Sequence, residues 1–408
     1  LALAEICLFI LLINTLRSRL FGLNTNFKGL AVDDINDIID ILKTLVGFKT
    51  VANEPNLDLI DWVEDFLAKA GFRIKRIPSP CGRKAGLLAK FGNGDGGILY
   101  SAHSDVVSTE GQDWTSDPFV LQRIGDRVIG RGTTDMKGFL ACVLAQARMC
   151  RDIPPAKPFM IALSWDEEIG CRGIPYMVDQ VVPFLGCPDL VIVGEPTEMQ
   201  LCLGHKGKVS YKAICYGEAG HSALAPHFKN ALHVAAKFIL ETSDLQLKLA
   251  KSGARDDAYT VPYSTVHAGI ARGGVALNIV PERAEVSFEI RHLTTEEPAN
   301  ILNELDTNSE NMKISTVYQY PGLSTNEADP VWKSLQALTN VPGPIKVAFG
   351  TEAGFFANIG LRTVVIGPGS MASDGHQPDE GIDIDQLRKC NDFCGKLQHG
   401  LQSVLRLN

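Results

Sequence analysis

The chain has 408 residues, of which 45% are hydrophobic and 21% are charged. Two domains are expected, because single hydrophobic cores stop growing beyond about 250–300 residues. The net charge of −8 at pH 7 argues against nucleic acid as a partner, since phosphate binding requires a basic surface.

The ten cysteines are spread singly along the chain, without a CxxC pair or a cluster of cysteine and histidine. A thiolate zinc site is therefore not expected. Most of the cysteines lie in apolar runs, which is typical of reduced core thiols. We therefore expect a cytoplasmic protein, where thiols stay reduced.

Residues 1–13 are apolar apart from Glu5. A bilayer span needs about 20 apolar residues, and the segment lacks the basic region and small-residue cleavage site of a signal peptide. We expect residues 1–30 to be an extension of the catalytic domain, with no association with a membrane. A signal or membrane anchor is the alternative for this segment.

Helical and strand patterns alternate along the first half of the chain. The expected elements are helices at 33–45 and 58–70, strands at 72–77, 85–91 and 98–100, a helix at 139–149, and strands at 159–164 and 190–193. Alternating strands and helices predict an α/β sheet with helices on both faces.

The pattern changes near His205, where residues 209–216 alternate as an exposed strand would. The elements that follow are a helix at 230–242, strands at 265–270, 278–281 and 284–292, and a helix at 299–305. They indicate a half-buried antiparallel sheet that carries helices. The first pattern then resumes, with a helix at 330–338 and a strand at 363–366. We predict a catalytic domain of residues 31–204 and 318–408, interrupted by an inserted α+β lid of residues 205–317.

Acidic and histidine side chains follow the ends of the predicted strands or open a helix. These residues are His103, Asp105, Asp135, Glu167, Glu168, Glu195 and His376. Open α/β sheets place their sites beyond the carboxyl ends of the strands. Imidazole and carboxylate groups are ligands for zinc, so the pattern indicates a metal hydrolase.

Sequence motifs in the same order identify a family. HSDVV, GQDWTSDPF, GRGTTDMKG, DEEIGCRG, GEPTEMQ, GHKGK, GTEAG and GPGS with the following His and PDE resemble the acetylornithine deacetylases. These belong to the co-catalytic zinc metallopeptidases, with the desuccinylases, glutamate carboxypeptidases and aminoacylases. The resemblance covers residues 33–395 and implies a zinc-aminopeptidase-like catalytic domain with an inserted lid that forms a homodimer.

The resemblance also implies a role for each candidate residue. His103 and Glu195 would bind one zinc ion, Glu168 and His376 the other, and Asp135 would bridge the two. Asp105 would orient His103, and Glu167 would be the general base.

The lid and its surroundings supply the remaining residues that the resemblance implies. His221 would stabilise the oxyanion, often from the partner subunit. Arg291, with Asn278 beside it, would bind the substrate carboxylate, for which a bidentate arginine is suited. Thr351 and Glu352 would line the pocket, and Glu352 would meet the ammonium group of ornithine.

The expected activity is hydrolysis of N-acetyl-L-ornithine to ornithine and acetate in arginine biosynthesis. It would use two Zn²⁺ ions per subunit, for which Co²⁺ can substitute. One alternative is a related hydrolase of another N-acyl amino acid or dipeptide, such as a succinyl-diaminopimelate desuccinylase. Such enzymes share metal ligands and differ in the shape of the pocket. A catalytically silent metal- or peptide-binding relative and a membrane-anchored peptidase are also compatible with the sequence.

Overall fold

A computed structural model describes residues 35–305, 310–339 and 341–399. The predicted extension at 1–30 lies outside these residues, as does the predicted start of the first helix at residue 33. None of the described helices is both long enough and apolar enough to cross a bilayer.

In the first half of the chain, three described α-helices agree closely with the expected ones, whereas the helix at Val178–Leu185 was not expected. The described α-helices are α1 (Ile35–Gly47), α2 (Leu57–Lys69), α3 (Lys137–Met149), α4 (Val178–Leu185), α5 (Ala231–Ser252), α6 (Pro298–Leu302), α7 (Pro330–Thr339), α8 (Ala353–Asn358) and α9 (Ile384–His399). Helix α5 is longer than expected, because Leu245 and Leu249 continue its buried face beyond residue 242.

The described strands range from two to ten residues. They are β1 (Arg73–Pro78), β2 (Ala85–Phe91), β3 (Ile98–His103), β4 (Gln122–Ile124), β5 (Arg127–Ile129), β6 (Phe159–Ser164), β7 (Leu190–Val193), β8 (Cys202–His205), β9 (Gly207–Tyr216), β10 (Gly220–His221), β11 (Thr265–Gly273), β12 (Ile279–Val280), β13 (Arg283–His292), β14 (Met312–Tyr320), β15 (Leu323–Ser324), β16 (Ile345–Val347), β17 (Thr363–Val365) and β18 (Gly381–Asp383).

The largest sheet has the order β1-β2-β6-β3-β7-β17-β8-β15, and β16 also pairs with β8. Strands β6, β3, β7 and β17 run parallel to one another. Antiparallel pairing flanks this group on both sides, through β2 and β8. The sheet is therefore mixed, with a parallel centre whose carboxyl ends lie along one edge.

Helices cover both faces of this sheet. On one face, α1, α2, α3, α7 and α9 pack against alternate strand residues such as Ile98 and Tyr100. On the other face, α4 and α8 pack against the intervening residues, such as Leu99. Burial on both faces explains why the central strands are continuous apolar runs. The predicted fold class is confirmed.

A second, antiparallel sheet has the order β11-β13-β9-β14. Its strands lie between β8 and β15 in the chain, and α5 packs on its apolar face. Strand β9, expected to be exposed, is instead an interior strand whose residues are alternately buried. Strand β14 was not expected and ends at Tyr320, beyond the predicted lid boundary at residue 317.

Candidate active site

The parallel centre of the large sheet brings the candidate ligands together. His103 is the last residue of β3, and it pairs in register with Ser164, the last residue of β6. Glu167 and Glu168 follow β6 directly, while Glu195 follows β7 on the other side of β3. The adjacent strands thus place one imidazole between two acidic segments.

Asp135 lies between two histidines. Its Oδ1 is 3.2 Å from Nε2 of His103, and its Oδ2 is 3.3 Å from Nε2 of His376. Nε2 of His376 is also 3.0 Å from Oε2 of Glu168, and Nε2 of His103 is 3.9 Å from Oε1 of Glu195. Both imidazoles therefore contact Asp135, and each also lies near a second carboxylate, so this group of side chains is a candidate metal site.

The residues fit metal ions on two grounds. Oε1 of Glu168 and Oε1 of Glu195 are buried without a hydrogen-bond partner, and buried carboxylate oxygens normally have one. Ligand atoms of His103, Asp135 and Glu168 lie within 4.8 Å of one another, as do those of His103, Glu167 and Glu195. Divalent cations would supply both the missing partners and the positive charge that this acidic cluster requires.

Asp105 organises the segment that carries the two adjacent glutamates. Its carboxylate accepts the backbone N–H groups of Glu167 at 3.1 Å and Glu168 at 3.2 Å. Nδ1 of His103 donates to the backbone carbonyl of Asp105 at 2.9 Å, while the nearer carboxylate oxygen is 3.6 Å away. Asp105 therefore fixes the imidazole mainly through its carbonyl, and its carboxylate fixes the acidic segment.

Glu167 has the properties of a proton acceptor near neutral pH. Burial raises the pKa of its carboxyl to about 7, and the charges of Asp135 and Asp105 add to the effect. The charge of His103 and a hydrogen bond from the thiol of Cys171 act in the opposite direction. In the absence of metal ions, Glu167 can therefore exchange a proton near neutral pH.

Glu168, Asp135 and His376 influence one another's pKa values. Burial raises the pKa of Glu168 to about 8, and hydrogen bonds to Asp135 and Glu168 raise the pKa of His376 to about 10. Burial works to raise the pKa of Asp135, but hydrogen bonds from His103 and His376 outweigh it and lower that pKa. Protons thus balance the buried charge where cations would otherwise do so, and metal binding should release them.

A buried ion pair that the sequence reasoning did not single out shapes the loop before Asp135. The carboxylate of Glu380 accepts the backbone N–H groups of Gly132 at 2.8 Å, Thr134 at 2.8 Å and Asp135 at 3.0 Å. It also pairs with Arg131 at 2.8 Å, and both side chains are 1% exposed. The sequence contained a signal for this pair, because Arg131 lies in the GRGTTDMKG motif and Glu380 in the PDE motif, each close to a predicted metal ligand.

His221 and Asn278 lie beside each other and make no described contact with the acidic cluster. His221 pairs with Ile279 between β10 and β12, and the N–H of Ser222 donates to the carbonyl of Asn278 at 3.1 Å. Both predicted residues are exposed. Nδ1 of His221 accepts the N–H of Ala223 at 3.1 Å, which orients the ring. No described hydrogen bond or ion pair joins either residue to the acidic cluster.

Arg291 belongs to a charged group on β13 and β9. Its Nε donates to Oε1 of Glu289 at 2.7 Å, and Nζ of Lys208 is 2.5 Å from Oε2 of the same carboxylate. The three side chains carry one net positive charge. This group is therefore suited to an anion.

The two pocket residues after β16 differ in their bonding. The hydroxyl of Thr351 accepts the N–H of Ala353 at 3.0 Å and lies 3.1 Å from Nε2 of His205, so it has structural partners. Glu352 is 2% exposed, and its Oε1 has no hydrogen-bond partner. Burial raises the pKa of Glu352 to about 8, and the charge of Glu167 contributes. Glu352 is therefore a buried acid whose carboxyl group interacts with Ser164 and with the charge of Glu167.

The sequence profile described as Peptidase family M20/M25/M40 matches residues 99–397, which include the whole acidic cluster. The chain belongs to this peptidase family. With the cluster described above, it is a hydrolase of the family that carries a candidate metal site.

Solved structures show the same fold. A family M20 metallo-carboxypeptidase from Sulfolobus solfataricus has 19% identity and a TM-score of 0.74, over 89% of this chain and 98% of that chain. A tripeptidase from Staphylococcus aureus has 16% identity and a TM-score of 0.71, over 91% and 98%. Human carnosine dipeptidase 1 has 15% identity and a TM-score of 0.66, over 89% and 96%. At these levels of sequence identity, the similarity establishes the fold. It does not identify the substrate, which must be inferred from the residues of this chain.

Proposed function

We propose that this M20 family protein hydrolyses N-acetyl-L-ornithine to ornithine and acetate, with two zinc ions per subunit. The observation that carries the hydrolytic part is the position of Asp135 between His103 and His376. We assign His103 and Glu195 to one ion, Glu168 and His376 to the other, and Asp135 to both. When bound, the ions would supply Lewis-acid chemistry that polarises the amide carbonyl and acidifies a water molecule.

Residues of the chain would carry the proton transfers. Glu167 would take a proton from the attacking water and return it to the leaving amine, since its carboxylate lies within 4.8 Å of ligand atoms of His103 and Glu195. Asp105 holds the backbone of Glu167 and therefore the position of the base. His221 would donate a hydrogen bond to the developing oxyanion, and its exposure on the lid is compatible with approach to a substrate.

The substrate would be oriented at both ends. The cationic group around Arg291 would bind the α-carboxylate, with the Asn278 amide as a second contact. The buried Glu352, whose Oε1 has no hydrogen-bond partner, favours a substrate with a positively charged side chain, because an ammonium group would pair with its carboxylate.

The assignment to arginine biosynthesis follows from this substrate, and we also propose a cytoplasmic homodimer. Dimerisation rests on the family resemblance. The described lid has an exposed edge strand, β11, whose residues are mostly accessible, and free edges are available for pairing. Co²⁺ is proposed as a substitute for Zn²⁺.

The deciding experiment measures acetate release from N-acetyl-L-ornithine by protein loaded with zinc. A chelator should abolish release, and zinc or cobalt should restore it. Bound metal without acetate release would refute the ornithine assignment, and a panel of other N-acyl amino acids and dipeptides would then identify the substrate. Inactivity across that panel would favour a catalytically silent relative.

A further inference from the structure

Gln112 connects the segment of His376 with the loop of Asp135. Its Nε2 donates to the backbone carbonyl of His376 at 2.8 Å, and its Oε1 accepts from Nη2 of Arg131 at 2.5 Å. Nε1 of Trp114 donates to the same oxygen at 3.0 Å, and the Trp114 ring lies 4.9 Å from the Arg131 guanidinium. Contacts on both ends of the amide therefore restrict its orientation.

The two histidines of the cluster are held in different ways. His103 is 1% exposed, and its Nδ1 donates to a backbone carbonyl. The side chain of His376 is 49% exposed, and within the described residues its Nδ1 has no hydrogen-bond partner. Metal-binding imidazoles usually have such a partner. His376 also has a φ of 61°, a backbone conformation that non-glycine residues rarely adopt. Apart from the contacts of its Nε2 with Asp135 and Glu168, the position of His376 therefore depends on its backbone.

We propose that Gln112 is a positioning residue for the metal ion on the His376 side, and this inference rests on the proposed two-metal function. Gln112 holds the His376 carbonyl, and through Arg131 it is linked to Glu380, which holds the N–H of Asp135. Loss of Gln112 leaves the Arg131–Glu380 pair in place. The ion shared by Glu168 and His376 should weaken, while the ion on the His103 side should not.

The test compares metal binding by the wild-type protein and Gln112→Met, which keeps the side-chain length and removes both hydrogen bonds. Zinc is titrated into metal-free protein by calorimetry. We expect two binding steps in the wild type and a weakening of only one of them in the variant. The expected loss is about 10- to 100-fold, as for other residues that orient ligands. Glu110→Gln, at an exposed position in the same segment, is the matched control.

A second variant, Gln112→Glu, retains an acceptor for Arg131 and Trp114 but places a carboxylate against the His376 carbonyl. It should show the same selective weakening of zinc binding. It therefore also tests the proposal if Gln112→Met does not fold. Equal weakening of both steps, or no change in either, would overturn the positioning role. Failure of the wild type to bind two ions would instead refute the proposed function.

Discussion

The thiol of Cys171 donates a hydrogen bond to Oε1 of Glu167 at 3.3 Å. Asp105 holds the backbone N–H of the same glutamate, so the acid is fixed at both its main chain and its side chain. Glu167 remains within 4.8 Å of ligand atoms of His103 and Glu195. The structure therefore fixes the Glu167 carboxylate next to the candidate metal ligands.

The variant Glu167→Gln separates proton transfer from metal binding. We expect kcat to fall about 10²- to 10⁴-fold, the usual contribution of a general base, while the protein keeps its two zinc ions. Steady-state kinetics and zinc content measure the two effects, with Glu110→Gln as the control for an exposed carboxylate. Turnover within tenfold of the wild type would rule out this role.

His221→Ala tests the lid contribution. Removal of an oxyanion donor typically lowers kcat about 10²- to 10³-fold, and zinc content should not change. His227→Ala is a close control, because His227 is also exposed and ends the short 3₁₀ helix Ser222–His227, which begins directly after His221. A parallel loss of zinc and turnover would instead place His221 among the metal ligands.

Glu352→Gln tests the choice of substrate. A hydrogen bond to a charged group contributes roughly 1.5–3 kcal/mol, so kcat/KM for N-acetyl-L-ornithine should fall about 10- to 100-fold. The value for N-acetyl-L-methionine, which has a neutral side chain, should change little. Equal losses for both substrates would show that Glu352 does not recognise the ammonium group.

The sequence predicts the centre of the molecule better than its periphery. Strands β2, β6 and β7 have the bounds expected from their apolar runs, because burial on both faces leaves a strong pattern. The hairpin of β4 and β5 was missed, since each strand has only three residues and its third partner, β18, lies far along the chain.

The same distinction applies to the site. Strand ends and motifs were sufficient to group His103, Asp135, Glu168 and His376, whose ion-pair distances the structure now gives. The contact between Arg131 and Glu380 spans 249 residues and involves two charged side chains. Hydrophobic periodicity in the sequence does not predict such a pair. It indicates which face of a helix or strand is buried, but not which polar side chains contact each other.

Glu380→Gln should strongly destabilise the metal-free protein. The change leaves Arg131 as a buried charge without its counter-ion, and breaking such a pair costs about 3–5 kcal/mol. The exposed helical pair Lys69–Asp65 provides the control, since Asp65→Asn should cost less than about 1 kcal/mol. Urea unfolding in the presence of a chelator measures both values. Similar costs for the two variants would contradict the importance of the buried pair.

His205 should make stability depend on pH. Its Nδ1 donates to the carbonyl of Lys206 at 3.0 Å, and its Nε2 lies 3.1 Å from the hydroxyl of Thr351, an arrangement that suits the neutral ring. Burial lowers the pKa of His205 to about 4, whereas an unfolded histidine has a pKa of about 6.5.

Between these two values the unfolded chain binds a proton that the folded chain does not bind. The free energy of unfolding should therefore fall as the pH falls from about 6.5 to about 4, by roughly 3 kcal/mol in total from this group. Below pH 4 its contribution should be constant. Urea unfolding across this range should show a shallower pH dependence for His205→Gln than for the wild type. The exposed His227→Gln should follow the wild type, and parallel curves for all three proteins would disprove the assignment.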